Sequence, residues 1–124
     1  MSDIMLLTPV RNVTDAFRGG VEAYLEHLEG LGHSVHYPPR DTNQGDRTGY
    51  RICSQNLAAI RSADEVHVCW DGTSQGVLFD LGMAFALGKR VHPVVGLFPR
   101  MTRHKSFQSM VYDWEERGEE ASDE

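Results

Sequence analysis

Asp80 is the single acid in "SQGVLFDLGMAFALGKR", residues 74–90, a stretch that is apolar almost throughout and reads as helix. An unpaired charge in such a helix is costly, so the carboxylate lies at an exposed edge, is paired, or is kept for chemistry. Asp71 closes the apolar run before it and opens "DGTSQG", where Gly72 and Gly76 permit close backbone approach and Ser74 stands at a helix start. A helix N-terminus attracts anions through its free N–H groups and its dipole. An ordinary strand-to-helix turn with Ser74 as N-cap has the same composition, and the turn matches neither G-x-G-x-x-G nor the phosphate-loop lysine motif. Two acids beside neutral or basic groups suit chemistry on a cationic or oxocarbenium-like centre. The competing reading of Asp80 is an ion pair with Arg11 or Arg40.

Arg11, Arg40 and Arg100 each follow a predicted strand, and together they would make a cationic rim. The histidines suggest no metal: His33 and His36 point to opposite faces of a short strand, and no other His/Cys spacing suits zinc. His67 and His92 alternate with valines, as packed and hydrogen-bonded core histidines do. Neither metal nor cofactor is expected, and no nucleophilic-serine elbow occurs. Cys53 and Cys69 form no C-x-x-C pair and read as free thiols in a reducing compartment.

The formal net charge of −6 resides in the last twelve residues, "DWEERGEEASDE", which hold seven acids and one arginine. A neutral body with an acidic end lacks the basic face that sequence-independent nucleic-acid binding requires, so no nucleic acid polymer is expected as partner. The end itself reads as solvated and frayed. No basic-then-apolar leader opens the chain, and no apolar run approaches the roughly 20 residues that span a bilayer. A soluble cytoplasmic protein without a membrane partner is the expectation.

The elements that must position these residues alternate. "IMLLTP" suits a strand buried on both faces. Phe17, Val21, Tyr24, Leu25, Leu28 and Leu31 recur at helical spacing behind Thr14 or Asp15 as cap. "HSVHY" is a second strand, "RDTNQGDRT" a loop, and "GYRICSQNLAAIRSAD" a helix with Ile52, Asn56, Ala59 and Ile60 along one side. "EVHVCW" and "RVHPVVGLF" are the remaining strands, separated by a helix over 75–88 whose composition predicts near-complete burial, with Gly82 allowing close packing. The pattern predicts one α/β domain, a three-layer α/β/α sandwich around a parallel sheet of four or five strands (Rossmann/flavodoxin-like) over residues 1–112, followed by the acidic tail 113–124. Ligands in such sheets sit beyond the carboxyl ends of the strands, where strand order reverses. That rule selects "TPVRN" with Thr8, Pro9 and Arg11, "PPRDTNQGD" with Arg40, "WDGTSQG" with Gly72, Ser74 and Gly76, and "FPRMTRHKS" with Arg100. Asp80, one turn into its helix, should face that edge and meet a polar side chain from the first or third of these loops.

"SADEVHVCWDGTSQGVLFDLGMAFALGKRV" resembles the central segment of the nucleoside 2-deoxyribosyltransferase family and its relatives, the nucleoside 5′-monophosphate N-glycosidases. Their pattern is Ala-Asp, an apolar strand, a Ser/Gly turn, Gly-x-x-x-Glu-x-Gly-x-Ala-x-Ala, then Lys. Ala63, Asp64, Ser74, Gly76, Asp80, Gly82, Ala84, Ala86 and Lys89 fall in register. "LLTPVR" and "KSFQSMVYDWEE" are similar to the family's beginning and to the end of the N-glycosidase branch. The resemblance implies cleavage or transfer at the N-glycosidic bond of a nucleoside or nucleotide, with Asp80 at the place of a nucleophilic glutamate and Asn56 at the place of an assisting aspartate. Both are departures, and Asp71 is the acid that could stand in for Asn56. Thr8, Pro9, Arg11, Arg40, Gly72, Ser74 and Gly76 would line the substrate, with Ser74, Ser106 and Arg11 at a 5′-phosphate or sugar hydroxyl. The resemblance also implies a homo-oligomer, a dimer or a multiple of one, in which Ser106 or Gln108 completes a neighbour's site. A nucleotide-binding module of the same fold, with impaired catalysis, is the alternative.

Overall fold

The computed structural model describes residues 1–122. Four consecutive apolar residues after Asp3 make β1 (Asp3–Leu7), and Ile4, Met5, Leu6 and Leu7 are all buried because helices cover both faces. Thr14 caps α1 (Asp15–Gly30) by accepting from the Phe17 N–H, and Val21, Leu25 and Leu28 turn inward at the spacing read from the sequence. There follow β2 (Ser34–His36), the one-turn α2 (Pro38–Asp41), α3 (Tyr50–Ser62), β3 (Glu65–Val68), α4 (Gln75–Ala86), β4 (Arg90–Pro93) and α5 (Phe107–Ser122). The four strands are all parallel, in the order β2-β1-β3-β4.

Alternate strand residues feed two cores. Ile4, Leu6, Val35, Cys69 and Val94 meet α1 on one side, while Met5, Leu7, Val66, Val68 and Val91 meet residues of α3, α4 and α5 on the other. This is the expected three-layer α/β parallel fold, in its four-strand form. The chain leaves β1 for β2 on one side and returns to place β3 on the other. The order therefore reverses at β1, which opens a crevice beyond the carboxyl ends of β1 and β3.

Five expectations need correction. The helix expected to be almost wholly buried, α4, buries only Val77, Asp80, Leu81 and Ala84; Phe79 and Phe85 are 57% and 61% exposed. A Cβ on Gly82 would meet nothing within 4 Å, so that glycine serves no close packing within the chain. The strand "RVHPVVGLF" ends at Pro93, because Gly96 turns the backbone at φ +84°. The segment expected to fray is the continuation of α5 as far as Ser122, so position 112 falls inside a helix. Val111 is fully buried there, Trp114 donates its indole N–H to Lys89 O at 3.0 Å, and Glu115 meets His92 at 2.5 Å, which anchors the acidic stretch to the β4 edge. Finally, α2 lies where prolines and polar residues read as strand end and loop; Pro at the first helical position is preset for it. Among the described residues no helix is long and apolar enough to cross a membrane.

Candidate active site

A cleft of about 530 Å³ opens beyond β1 and β3, lined among others by Thr8, Arg11, Asn12, Gln44, Cys53, Asn56, Asp71, Ser74, Gly76 and Asp80. Asp80 reaches it because α4 begins at the end of the β3 turn, which places its second turn over the crevice. Only 9% of Asp80 is exposed. Its Oδ2 accepts from the Asn56 side-chain amide at 3.3 Å, and no charge pairs with it. Burial raises its pKa to about 6, and the Asn56 hydrogen bond pulls the other way. The expected partner from the first or third βα loop is thus replaced by one from α3, because α3 packs beside α4 and Asn56 is on its inner face. Asp80 Oδ1 has no hydrogen bond within the protein, yet no buried side-chain oxygen among the described residues lacks a partner. That oxygen therefore opens to the cleft.

The β3–α4 turn is built from its own residues. Asp71 accepts the backbone N–H groups of Thr73 and Ser74 at 2.9 and 2.8 Å. Partial burial opposes its ionisation, but these donors outweigh it and hold the carboxyl below the ordinary carboxylate range. Ser74 caps α4 by accepting from the Val77 N–H at 3.4 Å, and its carbonyl receives the Trp70 indole N–H at 3.0 Å. Gly72, at φ +86°, takes the left-handed conformation the turn requires and lies outside the cleft wall. Gln75 and Gly76 in the first turn of α4 line the cleft, where their N–H groups have no intrahelical carbonyl to meet.

The family model for nucleoside 2-deoxyribosyltransferase matches residues 15–120. The chain belongs to the nucleoside 2-deoxyribosyltransferase family. The coarse activity of that family is transfer at the N-glycosidic bond of nucleosides. The fold is similar to that of a 2-deoxyribosyltransferase from Bacillus psychrosaccharolyticus, with 21% identity, a TM-score of 0.66, and coverage of 90% of this chain and 80% of that one. It is also similar to a CMP N-glycosidase of Clostridium botulinum, with 17% identity, a TM-score of 0.57, and coverage of 73% and 69%. No curated protein sequence matches significantly.

Against the residues singled out from sequence, this member of the deoxyribosyltransferase family brings Thr8, Arg11, Asn56, Asp71, Ser74, Gly76 and Asp80 to one cleft. Pro9 is buried and does not line the cleft. Arg40 is not part of it: its guanidinium is held by Asp41 at 2.8 Å, by Glu29 at 3.2 Å and by Val35 O at 3.0 Å. Arg100 does not line the cleft, so the expected rim reduces to Arg11. Ser106 caps α5 by accepting from the Ser109 N–H at 3.1 Å, and Gln108 lies in the first turn of that helix, both outside this chain's cleft. Sequence reasoning missed Asn12, Gln44, Cys53 and the buried Thr42 behind Asn56. Asn12 left a signal in its type, since asparagine is enriched at positive φ, and it is the one non-glycine residue there among those described, at 55°, in the loop after β1. Thr42 left none, since a threonine in a polar loop is ordinarily solvated.

Proposed function

We propose that the protein cleaves or transfers the N-glycosidic bond of a (deoxy)nucleoside or nucleoside 5′-monophosphate with Asp80 as nucleophile. The observation that carries this reading is the asymmetry of one buried carboxylate: Oδ2 is held by Asn56, and Oδ1 is unpartnered and open to the cleft. A pKa of about 6 leaves the group ionised at neutral pH and more basic than an ordinary carboxylate. Oδ1 attacks C1′, the C1′–N bond breaks, and its electron pair leaves with the base, which takes a proton from water. Water or the nitrogen of a second base then attacks C1′ of the glycosyl ester, losing a proton and restoring the carboxylate. Arg11 and the N–H groups of Gln75 and Gly76 supply the positive potential that a 5′-phosphate would meet.

The working unit in this reading is a homo-oligomer, a dimer or a multiple of one, in the cytoplasm. Phe79, Phe85, Phe107 and Met110 are exposed, and a groove of about 230 Å³ lies between α4 and α5 beside the open Gly82. A second copy seated on that face would bring Ser106 and Gln108, at the start of α5, towards a neighbour's cleft.

Incubation with 2′-deoxynucleosides, ribonucleosides and their 5′-monophosphates, with released base read by chromatography, tests the proposal. Base release by the wild type and none by Asp80→Asn is the expected result, and a second base as acceptor distinguishes transfer from hydrolysis. The other reading, nucleotide binding without turnover, is favoured by one observation: Asn56 is an amide and Asp71 is held ionised, so neither offers the leaving base a proton. Binding by calorimetry with no base released would establish it.

A further inference from the structure

We infer that His36 and Thr42 are positioning residues for the nucleophile, because they fix which way round the Asn56 amide stands and so keep an N–H, rather than a carbonyl oxygen, against Asp80. The inference rests on the nucleophile reading above and deepens it. An asparagine side chain has two ends of near-equal shape and opposite polarity. Turned over, Asn56 would set its oxygen against the carboxylate, two acceptors with no proton between them.

Thr42 links the amide to His36. It is 3% exposed, at the end of α2, and donates its hydroxyl proton to Asn56 Oδ1 at 2.8 Å. A hydroxyl has one proton. With that proton committed, the 2.8 Å contact between Thr42 Oγ1 and His36 Nε2 runs the other way, from His36 Nε2–H to Thr42. The imidazole is then the Nε2–H tautomer or the imidazolium, and both donate at that atom. The chain His36 to Thr42 to Asn56 to Asp80 joins β2, the end of α2, α3 and α4, with every donor directed at the carboxylate. Its links are mutually dependent: a histidine accepting at Nε2 would take the Thr42 proton, and Asn56 would then present its oxygen to Asp80. The charged groups facing His36 are Arg40 and Asp41 of α2, while Cys53 of α3 faces Asp80 beside Asn56. Burial holds His36 below its ordinary pKa, which favours the uncharged ring, and the hydrogen bond to Thr42 then calls for its Nε2–H tautomer.

The test is a carbon-13 NMR titration of the Asp80 carboxyl in the wild type, Thr42→Val, His36→Ala and His36→Gln, alongside kcat and KM for base release. Thr42→Val keeps the shape and removes the hydroxyl. The expected result is an upward move of the Asp80 midpoint, a matching move of the acid limb of the pH profile, and a roughly tenfold loss in kcat with KM little changed. His36→Ala should behave alike, and His36→Gln, which retains an N–H donor, should restore both readouts. An Asp80 midpoint unchanged in Thr42→Val and His36→Ala overturns the inference whether or not the protein turns over, since the titration reads the chain directly. Absence of base release by the wild type would instead overturn the functional reading and leave the titration to decide the inference. Should Thr42→Val fail to fold, His36→Ala and its rescue by His36→Gln, at the less buried end of the chain, carry the comparison.

Discussion

A carboxyl that is ionised against its burial leaves two signatures. Asp80 rises from an ordinary 3.8 to about 6 on folding, so between those values the native state binds more protons than the unfolded chain. Stability therefore falls as pH rises through that window, and the loss is complete above it. Asp80→Asn removes the burdened charge with little change in volume. Urea unfolding at pH 7 should show the variant more stable than the wild type by about 1–3 kcal/mol, a gain that vanishes at pH 4 and below. Loss of turnover together with that gain marks a group kept for chemistry, whereas destabilisation at pH 7 would mean that the carboxylate is structural. The same titration sets the rate. kcat/KM should fall as pH drops through about 6, where the nucleophile takes up its proton, and a pH profile flat from 5 to 7 would contradict the assignment.

Two elements matter more than their composition suggests. The acid-rich α5 is held by its apolar side, where Val111 is buried and Trp114 packs edge-on to Phe85 with ring centroids 5.3 Å apart. Trp114→Ala removes that packing and leaves Lys89 O without its indole donor, so thermal or urea unfolding should show a loss of about 2–4 kcal/mol. A loss below 0.5 kcal/mol would restore the frayed-end reading. The β3–α4 turn depends on Gly72 at φ +86°, where an added Cβ would meet Pro99 only at an ordinary 3.6 Å. The cost of Gly72→Ala is then backbone strain of about 1–2 kcal/mol. The loss should appear in activity too, because Ser74, Gln75 and Gly76, which follow the turn, line the cleft.

For the whole molecule, the exposed aromatic face of α4 and α5 is the feature the monomer does not use. Phe85 and Phe107 are 61% and 57% exposed around the open Gly82. Sedimentation at micromolar concentration should show a dimer or a multiple of one, and Phe107→Asp should shift it to the 13.9 kDa monomer with loss of base release. A wild-type monomer with full activity would remove the neighbour's Ser106 and Gln108 from the site. Phe107 is exposed and belongs to neither core, so circular dichroism of Phe107→Asp should stay native.

What the sequence determined by itself was local or periodic. Two-sided apolar runs specify buried parallel strands, three-and-four spacing specifies α1 and α3, and alternation of the two specifies an α/β sheet whose ligand edge lies at the carboxyl ends of its strands. The register around Asp80 likewise pointed to the family, because a motif is carried by chain spacing. What only the tertiary structure decided were relations across space. Arg40, legible as a rim cation, is consumed by Glu29 and Asp41 once α2 folds beside α1. The face of α4 left open depends on how much of an all-round apolar helix its neighbours cover, which no periodicity reports. Asp80 finds Asn56 from 24 positions away, and Asn56 finds Thr42 from 14, so the free oxygen and the direction of the amide exist only when β2, α2, α3 and α4 are assembled. Hydrogen bonds are short and directional, and their partners are set by packing rather than by order along the chain.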